Sequence, residues 1–171
     1  NYRKSGFRLA YRNVRYEGRT GGKPSARPEI VDLDGLALEQ VLSYDKPFFP
    51  DDRTAFLKTW LKQPGRVALG VKKAGHLAGY GMVRACRTGY KIGPLFADSP
   101  ELAENLFHEM IARVEPGQRV YLDTPEVNRE AVALAERHGM QVVFETARMY
   151  TGPFPDLPLD RLFGVTTFEL G

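Results

Sequence analysis

The sequence predicts an α/β fold in which helices flank a mixed, mostly antiparallel β-sheet. Residues 102–114 place their apolar side chains three and four positions apart, as the buried face of an amphipathic helix does. Residues 66–96 instead contain three strand-like segments separated by tight turns at Ala74-Gly75 and Thr88-Gly89. Together with the flanking segments, these patterns predict the element order β-α-α-β-β-β-α-β-α-β-β.

The first half of this order begins with an alternating strand at Glu29–Leu33. A helix is predicted at Leu36–Tyr44, because its leucine and valine side chains fall mostly on one stripe. Asp51 or Asp52 can cap a second helix. The buried side chains of that helix are predicted to be Phe56, Leu57, Trp60 and Leu61. Three strands then follow at Arg66–Lys72, His76–Cys86 and Tyr90–Phe96.

The second half follows the long amphipathic helix. A short strand is predicted at Val120–Asp123 and a helix at Asn128–His138. Two further strands, Gln141–Tyr150 and Leu162–Leu170, close the chain. Between them, Gly152–Pro158 is a proline-rich loop to which we assign no chemistry.

Composition narrows the class of protein. With 171 residues and 19.2 kDa, the chain has the size of one domain. Its 43% hydrophobic and 26% charged residues are typical of a globular protein and exclude disorder over the whole length. No stretch approaches the roughly 20 apolar residues of a transmembrane helix, so we expect no membrane contact. The single cysteine, Cys86, excludes an intrachain disulfide, and we predict a cytoplasmic domain without a metal site.

Positive charge is concentrated at the beginning of the chain. Eight of the 24 Lys and Arg residues lie in 1–28, against one of the 21 acidic residues, Glu17. A basic arm of this kind is compatible with nucleic-acid binding. The same arm carries large apolar and aromatic side chains, which a solvated tail rarely does, and we therefore expect no nucleic-acid partner. These side chains are Phe7, Leu9, Tyr11, Val14 and Tyr16.

Residues 2–18 and 135–151 form an internal repeat. Tyr2–Phe7 (YRKSGF) aligns with Ala135–Met140 (AERHGM), and a strand follows each copy. The glycine in each copy suits a left-handed helix C-cap. The copies are 133 residues apart, the size of a whole domain, and the chain starts without methionine, so we expect a tandem protein. We therefore divide the chain into a remnant of an upstream domain (1–18), a linker (19–28) and a domain (29–171).

The element order resembles that of the GNAT superfamily of acyl-CoA-dependent N-acyltransferases. Residues 127–140 (VNREAVALAERHGM) are similar to the family's late motif, in which an Asn precedes an apolar helix that ends in Gly-Phe. In the family, a Tyr four residues before this glycine usually protonates the leaving thiolate. Here that position is Ala135, whereas Tyr2 stands four residues before Gly6. The resemblance thus implies that Tyr2 is the general acid of the upstream domain.

Two further stretches, 92–101 (IGPLFADSPE) and 163–171 (FGVTTFELG), look like the C-terminal domain of a tandem GNAT subfamily. The resemblance implies an acetyl-CoA-dependent N-acetyltransferase that transfers the acetyl group directly to an amine within a ternary complex. It also implies two partners, a small-molecule amine and the upstream GNAT domain, and it leaves a homo-oligomer open.

The cofactor-binding motif of the family is poorly matched. GNAT proteins bind the pyrophosphate of the cofactor at the N-terminus of the helix after their fourth strand, where free N–H groups favour an anion. The motif there is Gln or Arg, two residues, Gly, one residue, and Gly or Ala. The aligned residues are Asp98, Ser99, Pro100, Glu101, Leu102 and Ala103, of which only the last matches. Because the carboxylates complement the helix dipole and repel phosphate, we predict a degenerate cradle.

If the domain is active, the resemblance places acetyl-CoA between the strands at 90–96 and 120–123. The expected cofactor contacts are Leu95, Phe96, Ala97 and Asn128. The acceptor amine would border the connection between the first two helices, while an arginine near the strand ends could attract an anionic group. The expected substrate contacts are Tyr44, Phe49, Arg53 and Arg84. The alternative function is a non-catalytic GNAT-fold module that binds a ligand or serves as a scaffold.

Overall fold

The structure is a computed structural model that describes residues 2–25 and 27–169. The strands in these residues are β1 (Arg8–Arg19), β2 (Ile30–Asp32), β3 (Val67–Lys73), β4 (His76–Ala85), β5 (Tyr90–Ala97), β6 (Arg119–Pro125), β7 (Gln141–Tyr150) and β8 (Leu162–Gly164). The helices are α1 (Leu38–Asp45), α2 (Thr54–Trp60), α3 (Pro100–Ala112) and α4 (Arg129–Arg137). The predicted segments also include Asn1, Ala26, Leu170 and Gly171, which lie outside the described residues.

The strands form one mixed sheet in the order β2-β3-β4-β5-β6-β1-β7, and β8 pairs with β5. Strands β5 and β6 run parallel, whereas the other pairs are antiparallel. The predicted α/β class is therefore confirmed, and so is the predicted order of elements from β2 to β8.

Part of the sheet is buried on both faces, and successive side chains of a strand there enter different cores, because they point to opposite sides of the sheet. Leu95 packs in one core with Leu106 and Met110 of α3. The next residue, Phe96, packs in a second core with Val41 of α1 and with Phe48. Strands β3 and β4 likewise have residues in both cores, so these three strands contribute to two hydrophobic layers.

Capping residues and a glycine determine where the two longest helices begin and where α4 ends. The Ser99 side chain accepts a hydrogen bond from the N–H of Leu102 at the start of α3, and Pro100 takes the first helical position. Asn128 caps α4. This helix ends before Gly139, whose φ of 65° is the left-handed conformation that favours glycine.

The last strand is shorter than predicted. We expected a strand over 162–170, but β8 ends at Gly164. The reason is a change of partner, because the N–H of Val165 donates to the carbonyl oxygen of Asp123 in β6 (2.9 Å) instead of continuing along β5.

Strand β1 lies inside this sheet, between β6 and β7. The residues assigned to an upstream remnant thus supply an interior strand of the sheet, next to the edge strand β7. The residues assigned to a linker are bonded to α3 and its flanking loop. Gly21 donates its N–H to Ile111 (3.1 Å), and Ser25 bonds to the Glu109 carboxylate. The division at residues 18 and 28 stays a prediction.

Residues 2–25 and 27–169 contain neither a candidate membrane-spanning helix nor a cluster of metal-ligating side chains. No helix there has the length and apolar character needed to cross a bilayer. No group of three or more His, Cys, Asp or Glu side chains there is arranged to hold a metal ion.

Candidate functional site

The candidate site is the gap between β5 and β6. The two parallel strands pair at three positions, the last of which involves Ile92 of β5. Further along, Leu95 pairs with Gly164 of β8. The next residue, Val165, donates its N–H to the carbonyl oxygen of Asp123 (2.9 Å). Residues 162–165 therefore lie between the two strands and hydrogen-bond to both.

The inserted segment fits without spare room. A Cβ added to Gly164 would lie 2.8 Å from Leu122 Cδ1 and 3.2 Å from Leu95 Cβ. A Cβ added to Gly93, on the facing part of β5, would lie 2.5 Å from the carbonyl oxygen of Val165. Glycine at both positions allows the close approach of strand to strand.

Three of the predicted cofactor contacts are core residues. Leu95, Phe96 and Ala97 are each exposed by 1% or less. The Phe96 ring stacks on Phe48 with a centroid distance of 4.0 Å and an interplanar angle of 10°. The backbones of Leu95 and Phe96 also pair with β8. Neither the side chains nor this part of the backbone faces an open cleft.

The fourth predicted contact, Asn128, joins α4 to the inserted segment. Its Oδ1 accepts hydrogen bonds from the N–H groups of Glu130 and Ala131, both at 3.1 Å. Its Nδ2 donates to the carbonyl oxygens of Leu162 (2.9 Å) and Asp160 (3.3 Å). Asn128 is therefore a helix cap whose remaining donors hold the chain at the start of β8.

The start of α3 is occupied by charged groups of the protein itself. Asp98 accepts hydrogen bonds from the hydroxyl of Tyr44 (2.7 Å) and from Nη2 of Arg161 (2.6 Å). The Arg161 guanidinium also lies 5.2 Å from the ring centroids of Tyr44 and Phe48. Burial raises the pKa of Tyr44, and the Asp98 carboxylate adds to this shift. Glu101 lies in the first turn of the helix.

A buried polar cluster links the first two helices to the same C-terminal segment. Arg53 makes two hydrogen bonds to Asp45, at 2.8 Å and 2.6 Å, and a third to the hydroxyl of Thr166 (3.0 Å). Tyr80 donates its hydroxyl to Asp45. Burial, reinforced by the Asp45 charge, raises the pKa of Tyr80 well above its ordinary value. The cluster therefore keeps Tyr80 neutral and Arg53 paired.

The predicted substrate contacts fall in different places. Phe49 and Arg53 are together, with the guanidinium 4.9 Å from the ring centroid, and both line a cavity of about 760 Å³. Tyr44 lines another opening of about 520 Å³ with Arg161. Arg84 lies on β4, and its guanidinium is 4.8 Å from the ring centroid of Trp60. The structure thus unites two of the four residues.

Tyr2 lies on the surface. Its side chain is 69% exposed, and its ring meets Phe7 edge-on with a centroid distance of 5.7 Å. Both rings line a cavity of about 570 Å³ against β7. The equivalent position in the second copy of the repeat, Ala135, is fully buried in α4.

Sequence reasoning missed the inserted segment and its contacts. Arg161 comes three positions after the proline-rich loop, and no local pattern marks it as a partner of Asp98. One signal was present, because Gly93 and Gly164 lie inside segments predicted as strands, where glycine often marks close backbone approach. That signal does not say which strands approach.

Comparison with known proteins places this fold in a family. Residues 41–164 match the profile of the family described as "Acetyltransferase (GNAT) domain". Holothin acyltransferase from Pseudoalteromonas sp. is 26% identical over 171 residues, which are 100% of this chain and 58% of that protein. A crystal structure assigned as an acetyltransferase, from Pyrococcus horikoshii, is 30% identical with a TM-score of 0.76. The match covers 99% of this chain and 55% of that one.

A second solved structure, a GNAT-family protein from Novosphingobium aromaticivorans, shares the fold at 20% identity with a TM-score of 0.57. It is covered over 65% of its length and 84% of this chain. The chain spans little more than half the length of the Pseudoalteromonas and Pyrococcus proteins. Because the family match extends over most of its residues and the sheet has the expected order, the chain belongs to the GNAT acetyltransferase family.

Proposed function

We propose that the complete protein is an acetyl-CoA-dependent N-acetyltransferase whose chemistry lies outside residues 29–171. These residues would form a GNAT domain with a degenerate cofactor cradle. The observation that carries the proposal is the insertion of residues 162–165 between β5 and β6, where the resemblance implies acetyl-CoA. In the complete protein, the amine would attack the acetyl thioester directly.

The residues of this domain do not fit acetyl-CoA. The gap that would take the cofactor is filled to van der Waals contact by Gly164 and Val165. At the start of α3, Glu101 brings a carboxylate to the first turn, where a pyrophosphate would need free N–H groups, and the adjacent Asp98 is already paired with Arg161. We therefore assign no step of acyl transfer to this cleft.

The general acid of the family is also missing from this domain. Ala135 has no proton to give and is enclosed in the core. Tyr2, its counterpart in the repeat, carries a hydroxyl on an exposed ring. We assign it the role of protonating the leaving thiolate in the upstream domain, which is general-acid catalysis. The acyltransferase among the relatives supports this class of reaction for a longer protein.

A non-catalytic ligand-binding or scaffold module is the second candidate. It is favoured by the cavity of about 760 Å³ beside Phe49 and Arg53, whose size is within the usual range for small-molecule sites. The acceptor amine is the ligand class that we propose for this cavity in the enzyme. The cytoplasmic location expected from the single cysteine, Cys86, stays a prediction.

Cofactor binding is tested first on the 171-residue chain. A ligand present at 100 times its dissociation constant adds about 2.7 kcal/mol, which for this size is a shift of roughly 5–11 °C. We expect no shift in a thermal melt with millimolar acetyl-CoA. A shift of that size would refute the degenerate cradle.

Turnover is then tested in the complete protein. Tyr2→Phe should lower kcat by at least about a hundredfold, the usual size of a general-acid contribution. Tyr121→Phe, a partly exposed tyrosine of β6, is the matched control and should leave kcat unchanged. Equal activities of the two variants would remove Tyr2 from the mechanism. Absence of turnover with any amine in the parent protein would favour the non-catalytic module.

A further inference from the structure

The two copies of the internal repeat are neighbours in the sheet. Strand β1 belongs to the first copy and β7 to the second, and the two strands pair antiparallel. Asn13 lies directly opposite Thr146, and these two residues are 133 positions apart, which is the spacing of the repeat. The pairing therefore joins equivalent residues at its centre.

The register on either side of this centre is symmetric. The repeat counterpart of Arg12 is Glu145, and the counterpart of Ala147 is Val14. Arg12 pairs with Ala147, and the counterparts Val14 and Glu145 also pair with each other. The two irregularities in the register are related by the same spacing. One residue of β1, between Leu9 and Tyr11, has no partner in the register, and neither has one residue of β7, between Val142 and Phe144. The skipped residues, Ala10 and Val143, are again 133 positions apart.

The turns before the two strands are equivalent as well. Gly6 donates its N–H to Arg3 (3.2 Å), as Gly139 does to Glu136 (2.9 Å). Phe7 and Met140 likewise donate to the residues five positions before them, at 3.2 Å and 3.0 Å. Residues 2–5 are thus the counterpart of the last turn of α4. A local two-fold axis relates the two copies and passes next to the Asn13–Thr146 pair.

The two-fold axis predicts a further strand beside β7, which the described residues do not supply. On its other side, β1 pairs with β6 from Asn13 to Arg19. Rotation about the axis would place a strand equivalent to β6 beside β7, paired with residues 146–152. Within residues 2–25 and 27–169, however, β7 pairs with β1 alone.

Side chains on β7 lack the cover that their counterparts have. Ala147 is exposed, whereas its counterpart Val14 is buried in the core. Phe144 is 54% exposed, whereas its counterpart Tyr11 is 9% exposed. The opposite edge of the sheet is a strand of three residues, β2, which is short enough to resist pairing. A ten-residue edge with exposed apolar side chains is the kind that proteins cover.

We infer that the outer edge of β7 is the docking surface for a second GNAT-like domain of the same protein. That domain would pair a strand equivalent to β6 with residues 146–152, so that one sheet would run through both domains. The inference rests on the tandem arrangement in the proposed function, and it adds the surface, the strand and the register. The relatives that are almost twice as long as this chain provide room for such a domain.

A second copy of this chain could not supply the strand that would pair with β7. In such a copy, the edge of β6 that would have to pair with β7 is already bonded to its own β1. The start of the described chain lies at the same surface, because Tyr2 lines a cavity with Ala147 and Met149. A domain preceding Tyr2 would therefore be joined next to the edge that it covers.

Hydrogen exchange measured on the complete protein and on the 171-residue chain tests the docking. In the complete protein, we expect amides between Thr146 and Gly152 to exchange at least about tenfold more slowly than in the chain alone. The added protection should be lost in Ala147→Glu and retained in Ala85→Glu, an exposed alanine on β4. In the 171-residue chain, both variants should melt within about 2 °C of the parent.

The outcomes separate the docking surface from the proposed function. If the complete protein contains a second domain but β7 exchanges equally fast in both forms, the surface is wrong and the tandem enzyme stands. Equal loss of protection in both variants would also overturn the surface. If the complete protein contains no such domain, the tandem arrangement fails, and the docking inference fails with it.

Discussion

Replacing Asn128 by alanine measures how strongly the inserted segment is held. The substitution removes a helix N-cap, which usually costs about 1 kcal/mol. It also removes the donor to the Leu162 carbonyl (2.9 Å), a buried hydrogen bond with a net contribution of about 1 kcal/mol. The longer bond to Asp160 (3.3 Å) adds a smaller amount. The expected loss is about 2–3 kcal/mol, or roughly 5–10 °C in melting temperature for a chain of this size.

Asn128→Ser separates these contributions. Serine caps a helix about as well as asparagine but has no amide to reach the two carbonyl groups, so its cost should be about 1 kcal/mol. Urea denaturation followed by the fluorescence of Trp60, the single tryptophan, gives both values. If Asn128→Ser is as stable as the parent, Asn128 does not hold the segment. If it is as unstable as Asn128→Ala, the cap contributes nothing.

Two further predictions concern packing and ionisation. Gly164→Ala should cost about 1–3 kcal/mol, because its Cβ would lie 2.8 Å from Leu122, whereas Gly152→Ala, with no atom within 4 Å, should cost far less in the same urea assay. Burial, with Tyr150 adding, raises the pKa of Tyr11 to about 12 from 10.0. A phenol whose folded pKa is raised contributes stability below pH 10 that is lost as the pH rises towards 12. The melting temperature should therefore fall less steeply between pH 10 and 12 for Tyr11→Phe than for the parent. Parallel plots of melting temperature against pH would contradict this reasoning.

The elements of the fold could be predicted because their signals are local. The apolar spacing of residues 102–114 depends on the period of one helix, and α3 is found there. The glycine turns at Ala74-Gly75 and Thr88-Gly89 connect neighbouring antiparallel strands, and both connections are observed. Capping by Asn128 likewise involves residues within three positions of it.

The candidate site could be predicted only in part. The carboxylates at the start of α3 and the missing hydroxyl at Ala135 follow directly from the sequence. The partners of these groups do not, because Arg161 reaches Asp98 across 63 positions and Asn128 reaches Leu162 across 34. Contacts of that separation depend on where whole strands lie, which no short pattern contains.

By itself, the sequence determined the element order, the internal repeat and the acidic start of α3. The tertiary structure decided that β1 lies between β6 and β7 and that residues 162–165 fill the gap beside β5. It also decided that no strand in the described part of the chain, 2–25 and 27–169, pairs with the outer edge of β7. The physical reason is that periodicity specifies which residues form a strand, whereas the choice of its neighbour follows from burial and hydrogen bonding over the whole sheet.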